Sequence, residues 1–156
     1  MTRPDIAHGV SKLSEFLQNP SQEHMEAVDH MIRYLVATKC KGIEYDGDLS
    51  NVTGRAFIAL SDASFADERE TRCSSSGFCF QLFGGMIHWK ATKQKSVTTS
   101  STEAELLALT VTAKEYIWWT RLFKNLRLDL ESPVILCDIS KPLDYFRKKH
   151  QNSPPN

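Results

Sequence analysis

Two short apolar runs, each closed by an aspartate, constrain this chain more than any other feature: "FIALSD" ends at Asp62 and "PVILCD" at Asp138. Runs of this length bounded by polar residues read as buried strands. The acid closing each one is expected at the carboxyl edge of a sheet, where α/β proteins place their sites. Between the two runs, "SSTEAELLAL" opens a long helical pattern in which Glu105 shares a face with Leu109, Tyr116 and Phe123. Three carboxylates held together repel by up to about 4 kcal/mol per pair at about 4 Å and an effective dielectric near 20, unless a cation sits among them. A divalent metal site at Asp62, Glu105 and Asp138 is therefore the first expectation.

Two glutamates open the helix, and their angular positions separate them. Glu103 falls near Lys114 and Arg121 on an outward face, where an acid needs no further partner. Glu105 falls among apolar neighbours and does need one. Thr102-x-x-Glu105 also matches a capping box, in which the glutamate only satisfies a backbone donor; Ser100-x-x-Glu103 supplies the same box one register earlier and leaves Glu105 free. Each aspartate has its own plain alternative as a turn residue or helix cap. A set of oxygen donors without a matching His or Cys cluster suits magnesium or manganese. His24, Glu26 and His30 do not form an H-E-x-x-H helix site and read as a solvated face, and no D-x-D-x-D-G calcium loop is present.

With 156 residues, 41% of them hydrophobic, the chain can bury one core, and its formal net charge of zero gives no general attraction to nucleic acid. Any such affinity must come from local patches. The apolar runs fall well short of the roughly 20 residues that span a bilayer, so no membrane partner is expected. The amino terminus "MTRPDIAHGV" lacks the apolar core of a signal peptide, which makes a reducing compartment the default. Cys40, Cys73, Cys79 and Cys137 form no C-x-x-C pair and are expected to be free thiols.

The organisation changes near residue 50. Residues 4–18 place Ile6, Val10, Leu13 and Leu17 at helical spacing before Pro20. A second helix after Ser21 carries Met25, Val28, Ile32 and Leu35 as its stripe, which makes residues 1–50 a helical hairpin. From residue 51 to 150 strands and helices alternate: strands near 55–62, 76–83, 86–91 and 133–138, with Gly84-Gly85 as a hairpin turn and a helix from about Thr102 to Leu126. A short helix is expected from Pro142, and residues 151–156 read as a disordered tail.

At these residues a family resemblance becomes specific. "SDASFADERETRCSSSGFCF", "IHWKATKQKSVTTSSTEAELLAL" and "LCDIS" resemble the ribonuclease H domain of the copia-type retrotransposon Pol polyprotein. "RPDIAHGVSKLSEFLQNPSQEHMEAVDHMIRYLVAT" is similar to the end of the reverse transcriptase that precedes it. The resemblance implies an α/β, ribonuclease H-like mixed sheet behind a helical hairpin, and cleavage of the RNA strand of RNA–DNA hybrids with two magnesium (or manganese) ions. Asp62, Glu105 and Asp138 match its catalytic, metal-binding acids. It further implies the rest of the Pol polyprotein, reverse transcriptase included, as a partner, and a location in a cytoplasmic virus-like particle or in the nucleus.

Hybrid binding would draw on Ser74, Ser75 and Ser76, on Ser100, Ser101 and Thr102, and on Lys93 with Lys90 and Lys95 beside it. These offer donors and charge to phosphates and 2′-hydroxyls. The same residues also fit serine-rich turns and a solvated lysine edge. Trp89, Trp118 and Trp119 fit core or partner contacts better than base-stacking platforms. The chain departs from the family pattern where Asp138 is followed by Ile139 and Ser140 instead of Asn-Gln, and where a fourth carboxylate, a fifth strand and a last helix are expected but absent. Three acids imply a poorly held second ion. A hydrolase and a non-catalytic binding or structural remnant are thus both open readings.

Overall fold

The computed structural model describes residues 2–45, 55–67, 71–128, 130 and 134–137. Within them the fold is α/β: a mixed four-stranded sheet with three α-helices. The helices are α1 (Ala7–Ser14), which continues a 3-10 turn at Pro4–Ile6, α2 (Gln22–Ala37) and α3 (Ser101–Asn125). The strands are β1 (Phe57–Ser64), β2 (Ser75–Leu82), β3 (Gly85–Lys93) and β4 (Ile135–Cys137), in the spatial order β3-β2-β1-β4. β1 and β4 run parallel, and the other pairs are antiparallel. The short helix expected from Pro142, the tail, and the boundary near residue 50 lie outside the described residues.

The β2–β3 hairpin turns one residue earlier than the Gly-Gly pair predicts. Leu82 pairs with Gly85, so Phe83 (φ 49°) and Gly84 (φ 80°) occupy the two turn positions, both of which a type I′ turn needs left-handed. Gly85 is instead required by packing, because a Cβ there would run into the ring of Tyr45. The Tyr45 hydroxyl donates to the Met86 carbonyl at 2.8 Å, so residues leading out of the helical hairpin are tied to the start of β3.

The core lies between α3 and the inward residues of β1 and β2. Phe57 is its centre, with ring centroids 4.9 Å from both Tyr116 and Phe123 and 5.8 Å from Phe80. Ala59, Phe78 and Phe80 extend the same face, and Trp119 and Ile135 pack at its margin. Each buried ring contributes about 1.5–3 kcal/mol. Ala104, Ala108 and Thr112 are the buried residues of the amino-terminal half of α3, small enough for its backbone to approach the sheet.

The helical hairpin lies outside the sheet but rests on it. α1 packs against β3, and ion pairs Lys93–Glu15 (3.2 Å) and Lys12–Asp67 (3.4 Å) join the two parts. The predicted stripe of α2 is half right. Val28 and Leu35 turn inward with His24 and Met31, while Met25 and Ile32 are exposed. His24 is no solvated-face residue: its ring stacks on Phe16 at 3.8 Å and its Nδ1 accepts from the Ser21 backbone N–H at 3.0 Å, closing a capping box with histidine in the usual glutamate position. The carboxylate of Asp5 accepts from the Arg3 guanidinium (2.7 Å) and the Tyr34 hydroxyl (2.8 Å), and Arg3 also donates to Thr38, so the chain's start is bound to the end of α2.

Two outcomes follow. Phe123→Ala is expected to cost about 3–5 kcal/mol in urea denaturation, whereas Leu106→Ala, on the exposed side of α3, should stay within about 0.5 kcal/mol. The Arg3 guanidinium beside Asp5 holds its carboxyl down from 3.8 to about 2. A depressed folded pKa stabilises above the unfolded value and is lost as pH falls through the folded one. Protection factors at the end of α2, which remove the pH dependence of intrinsic exchange, are therefore expected to fall between about pH 4 and pH 2 in the wild type and to stay level in Asp5→Asn.

Candidate active site

Five consecutive buried residues of β1 end at Ser61, and Asp62 is the first exposed one. β1 continues to Ser64, because Ala63 and Ser64 keep antiparallel partners in Ser76 and Ser75. Asp62 therefore lies within the strand, near its carboxyl end, and does not close it as the sequence predicts. β4 runs parallel beside this segment, with Cys137 opposite Ser61. The described part of β4 thus stops one residue before Asp138, beside the residue that precedes Asp62. Asp138 itself lies outside the described residues.

α3 brings Glu105 to the same end. Phe57 touches Tyr116 and Phe123, while Ser61, further along β1, accepts a 3.0 Å hydrogen bond from Thr112 Oγ1. The helix therefore runs antiparallel to β1. The stretch from Thr112 back to Glu105 rises about 10 Å, as does that from Ser61 to Ser64, so Glu105 stands level with the end of β1. Glu105 also precedes Phe123 by about five full turns, which puts it on the sheet-facing angle of the helix. Yet it is exposed. At this end of α3 the buried line runs through Ala104 and Ala108, which lie about 100° and about 60° around the helix from Glu105, so Glu105 faces outward although it shares the angle of Phe123.

The amino-terminal end of α3 is fixed by two devices. Ser100 caps the helix, its Oγ accepting from Glu103 N–H at 3.2 Å, and the Glu103 carboxylate accepts from the N–H and hydroxyl of Thr99 at 2.6 and 2.9 Å. Those bonds to Thr99 lower the Glu103 pKa. Only half of the predicted box at Ser100 and Glu103 forms, since Glu103 reaches Thr99 rather than the Ser100 N–H, and Glu105 takes no part in the cap. The second device is Gln94. Its buried Nε2 donates to Ser76 Oγ (2.6 Å) and to the Ala104 carbonyl (2.9 Å), while its backbone N–H donates to Ser74 O (2.8 Å). Sequence reading missed Gln94, since a glutamine between lysines after a strand carries no pattern of its own.

Among the described residues, Asp62 and Glu105 make no hydrogen bond or ion pair, unlike Asp5, Glu15, Asp67 and Glu103, which are all engaged. Strand alternation places Asp62 on the face opposite Ser61, so the two acids border the same end of β1 from different sides. No three His, Cys, Asp or Glu residues gather into a metal group among the described residues. As donors the two free carboxylates suit a hard divalent cation, which prefers oxygen ligands.

The expected nucleic-acid contacts divide sharply. Ser74 is fully buried, its hydroxyl bonded to Thr98 Oγ1 (2.8 Å) and accepting from Ala66 N–H (3.0 Å). Ser75 is buried and donates to Asp67 at 2.8 Å, and Ser76 serves Gln94. These three serines hold the chain together, because the strand they were expected to flank begins among them. Ser100 is the helix cap, and Lys93 pairs with Glu15. Ser101 and Thr102 are exposed in the first turn of α3, as are Lys90 and Lys95 beyond. Cys40 and Cys137 are exposed free thiols, whereas burial pushes the Cys79 thiol up to about 12.

Among the described residues, Asp62 on β1 and Glu105 on α3 are thus free carboxylates at one end of an α/β sheet. The chain is 41% identical over 143 residues, 92% of its length, to the retrovirus-related Pol polyprotein from transposon TNT 1-94 of Nicotiana tabacum. It is 35% identical over 157 aligned positions to that from transposon RE1 of Arabidopsis thaliana, and covers 10% of each of these long relatives. A short relative, the secreted RxLR effector protein 161 of Plasmopara viticola, is 38% identical over 120 residues, which cover 77% of this chain and 82% of that one. The chain's homologues over most of its length are thus retrovirus-related Pol polyproteins from copia-type transposons, of which it spans about a tenth. No family model and no solved structure matches it.

Removing the Gln94 side chain leaves Ser76 Oγ and the Ala104 carbonyl without their donor. Gln94→Ala is expected to lower stability by about 1–3 kcal/mol and to raise hydrogen exchange selectively in the first turns of α3, read by mass spectrometry.

Proposed function

We propose that this chain is the ribonuclease H part of a retrotransposon Pol polyprotein, a metal-dependent endonuclease for the RNA strand of RNA–DNA hybrids. The observation that carries the reading is the pair of exposed, unpartnered carboxylates, Asp62 and Glu105, at the end of β1 where β4 runs parallel and α3 begins. Asp62 and Asp138 would hold magnesium or manganese, and Glu105 would have to reach past the end of β1 from the helix side to join them. When bound, the metal would supply acidity for an attacking water and charge neutralisation for the leaving 3′ oxygen. Ser101 and Thr102 would present hydroxyls and first-turn N–H groups to phosphates and 2′-hydroxyls, aided by the positive end of α3. Gln94 would keep that turn at a fixed height over the end of β1. Three acids hold one ion better than two, so cleavage by this chain alone is expected to be slow. The remainder of the Pol polyprotein would be its partner.

A second reading, a catalytically silent module, is favoured by the Plasmopara viticola relative: a protein of similar extent carries an effector name. A cleavage assay on a labelled RNA–DNA hybrid, with and without magnesium, separates the two. Slow magnesium-dependent scission that falls at least about a hundredfold in Asp62→Asn and Glu105→Gln supports the nuclease. Binding without cleavage supports the module. In thermal shift, wild type is expected to gain stability with the logarithm of magnesium concentration. Asp62→Asn should match or exceed the metal-free wild-type Tm while losing that gain, and equal gains in both would remove Asp62 from the site.

A further inference from the structure

Further along α3, a shallow depression of about 430 Å³ is lined by His88, Glu115, Trp118 and Trp119. The two indoles stand nearly perpendicular, at 85° with centroids 5.0 Å apart, and form two walls of a corner. His88 adds a third aromatic surface, 6.0 Å from Trp119, and its Nδ1 accepts from Trp119 Nε1 at 3.4 Å. Trp119 is braced from the core by Phe123 at 5.5 Å and Phe80 at 6.5 Å, whereas Trp118 is 55% exposed. One wall is thus rigid and the other open to a ligand.

Glu115, about one turn before the indoles, is half-buried and makes no hydrogen bond or ion pair among the described residues. A carboxylate drawn partly out of water beside aromatic faces gives up hydration without a return. Aromatic faces present negative quadrupole density and attract the same sign of ligand as the carboxylate does. Both features select a cation and repel phosphate, which separates this corner from any surface for nucleic acid. The lining is mostly apolar. That suits a cation coated in methyl groups better than a bare ammonium, which needs acceptors on every side, or a guanidinium, which needs a planar fork of them.

We propose that His88, Glu115, Trp118 and Trp119 form a binding site for a quaternary or methylated ammonium group. That chemistry is carried by a trimethyllysine side chain and by small molecules of the choline type. The site is independent of the acidic rim, since Glu115 lies about three turns along α3 from Glu105.

The test is tryptophan fluorescence of the full 156-residue chain titrated with tetramethylammonium, choline, a trimethyllysine peptide, its unmethylated counterpart and the neutral isostere 3,3-dimethylbutanol. Saturable quenching by the methylated cations, roughly tenfold tighter than by the unmethylated peptide or the neutral alcohol, is expected. Glu115→Gln should weaken it several-fold and Trp118→Phe less than Trp118→Ala, with unchanged far-ultraviolet circular dichroism showing that these surface variants fold. Tighter binding of the peptide than of choline assigns the source to a protein side chain, and the reverse to a free small cation. No saturable response to any methylated cation, equal affinity for the neutral alcohol, or wild-type affinity in both Glu115→Gln and Trp118→Ala overturns the proposal.

Discussion

Everything in this molecule is referred to the contact between α3 and the inward face of β1. Phe57 sits between Tyr116 and Phe123 on the helix and beside Phe80 on the next strand. Aromatic pairs at these separations add about 0.5–1.5 kcal/mol each beyond simple burial. At the other end of the interface bulky rings give way to Ala104, Ala108 and Thr112, which bring the helix closer to the sheet. The helix is thus packed tightly by large residues at one end and held near by small ones at the other. The carboxylates of interest lie at the end made of small residues, where stability comes from Gln94 and the Ser61–Thr112 hydrogen bond more than from apolar area.

Much of this was legible in the sequence. The four strands fall within two or three residues of their predicted positions. Periodicity put Glu105 on an apolar face, and the structure exposes it, because the buried line of α3 drifts from Ala104 to Phe123 and an average angle does not follow that drift. Asp62 was read as the closing residue of its strand for a similar reason: pairing of Ala63 and Ser64 depends on β2, which composition does not reveal. The serines failed most clearly. A run of hydroxyls reads as a surface, and only the three-dimensional count of donors and acceptors shows Ser74, Ser75 and Ser76 occupied within the protein. The catalytic role proposed for the acids rests on the family resemblance rather than on their pattern.

α3 also explains why one helix can serve several surfaces. Leu106, Val111, Ile117 and Trp118 are exposed while Ala104, Ala108, Tyr116 and Phe123 are buried, so the helix is apolar over most of its circumference. Such a helix has no single hydrophobic stripe from which its orientation could be read. Its docking is decided instead by size complementarity, with large rings against β1 and β2 and alanines where the backbone must come close.

The placement of α1 has a consequence for how copies of this chain behave toward one another. β3 is the outer strand on its side of the sheet, and an uncovered outer strand offers unpaired backbone groups to any other strand it meets. α1 rests against β3 and fastens to it through Lys93 and Glu15, while Lys90 and Lys95 place charge along the same strand and just past its end. The helical hairpin therefore acts as a guard as well as an appendage. Deprived of it, the remaining sheet would expose a template for edge-to-edge growth, and solubility would then rest on the lysines alone.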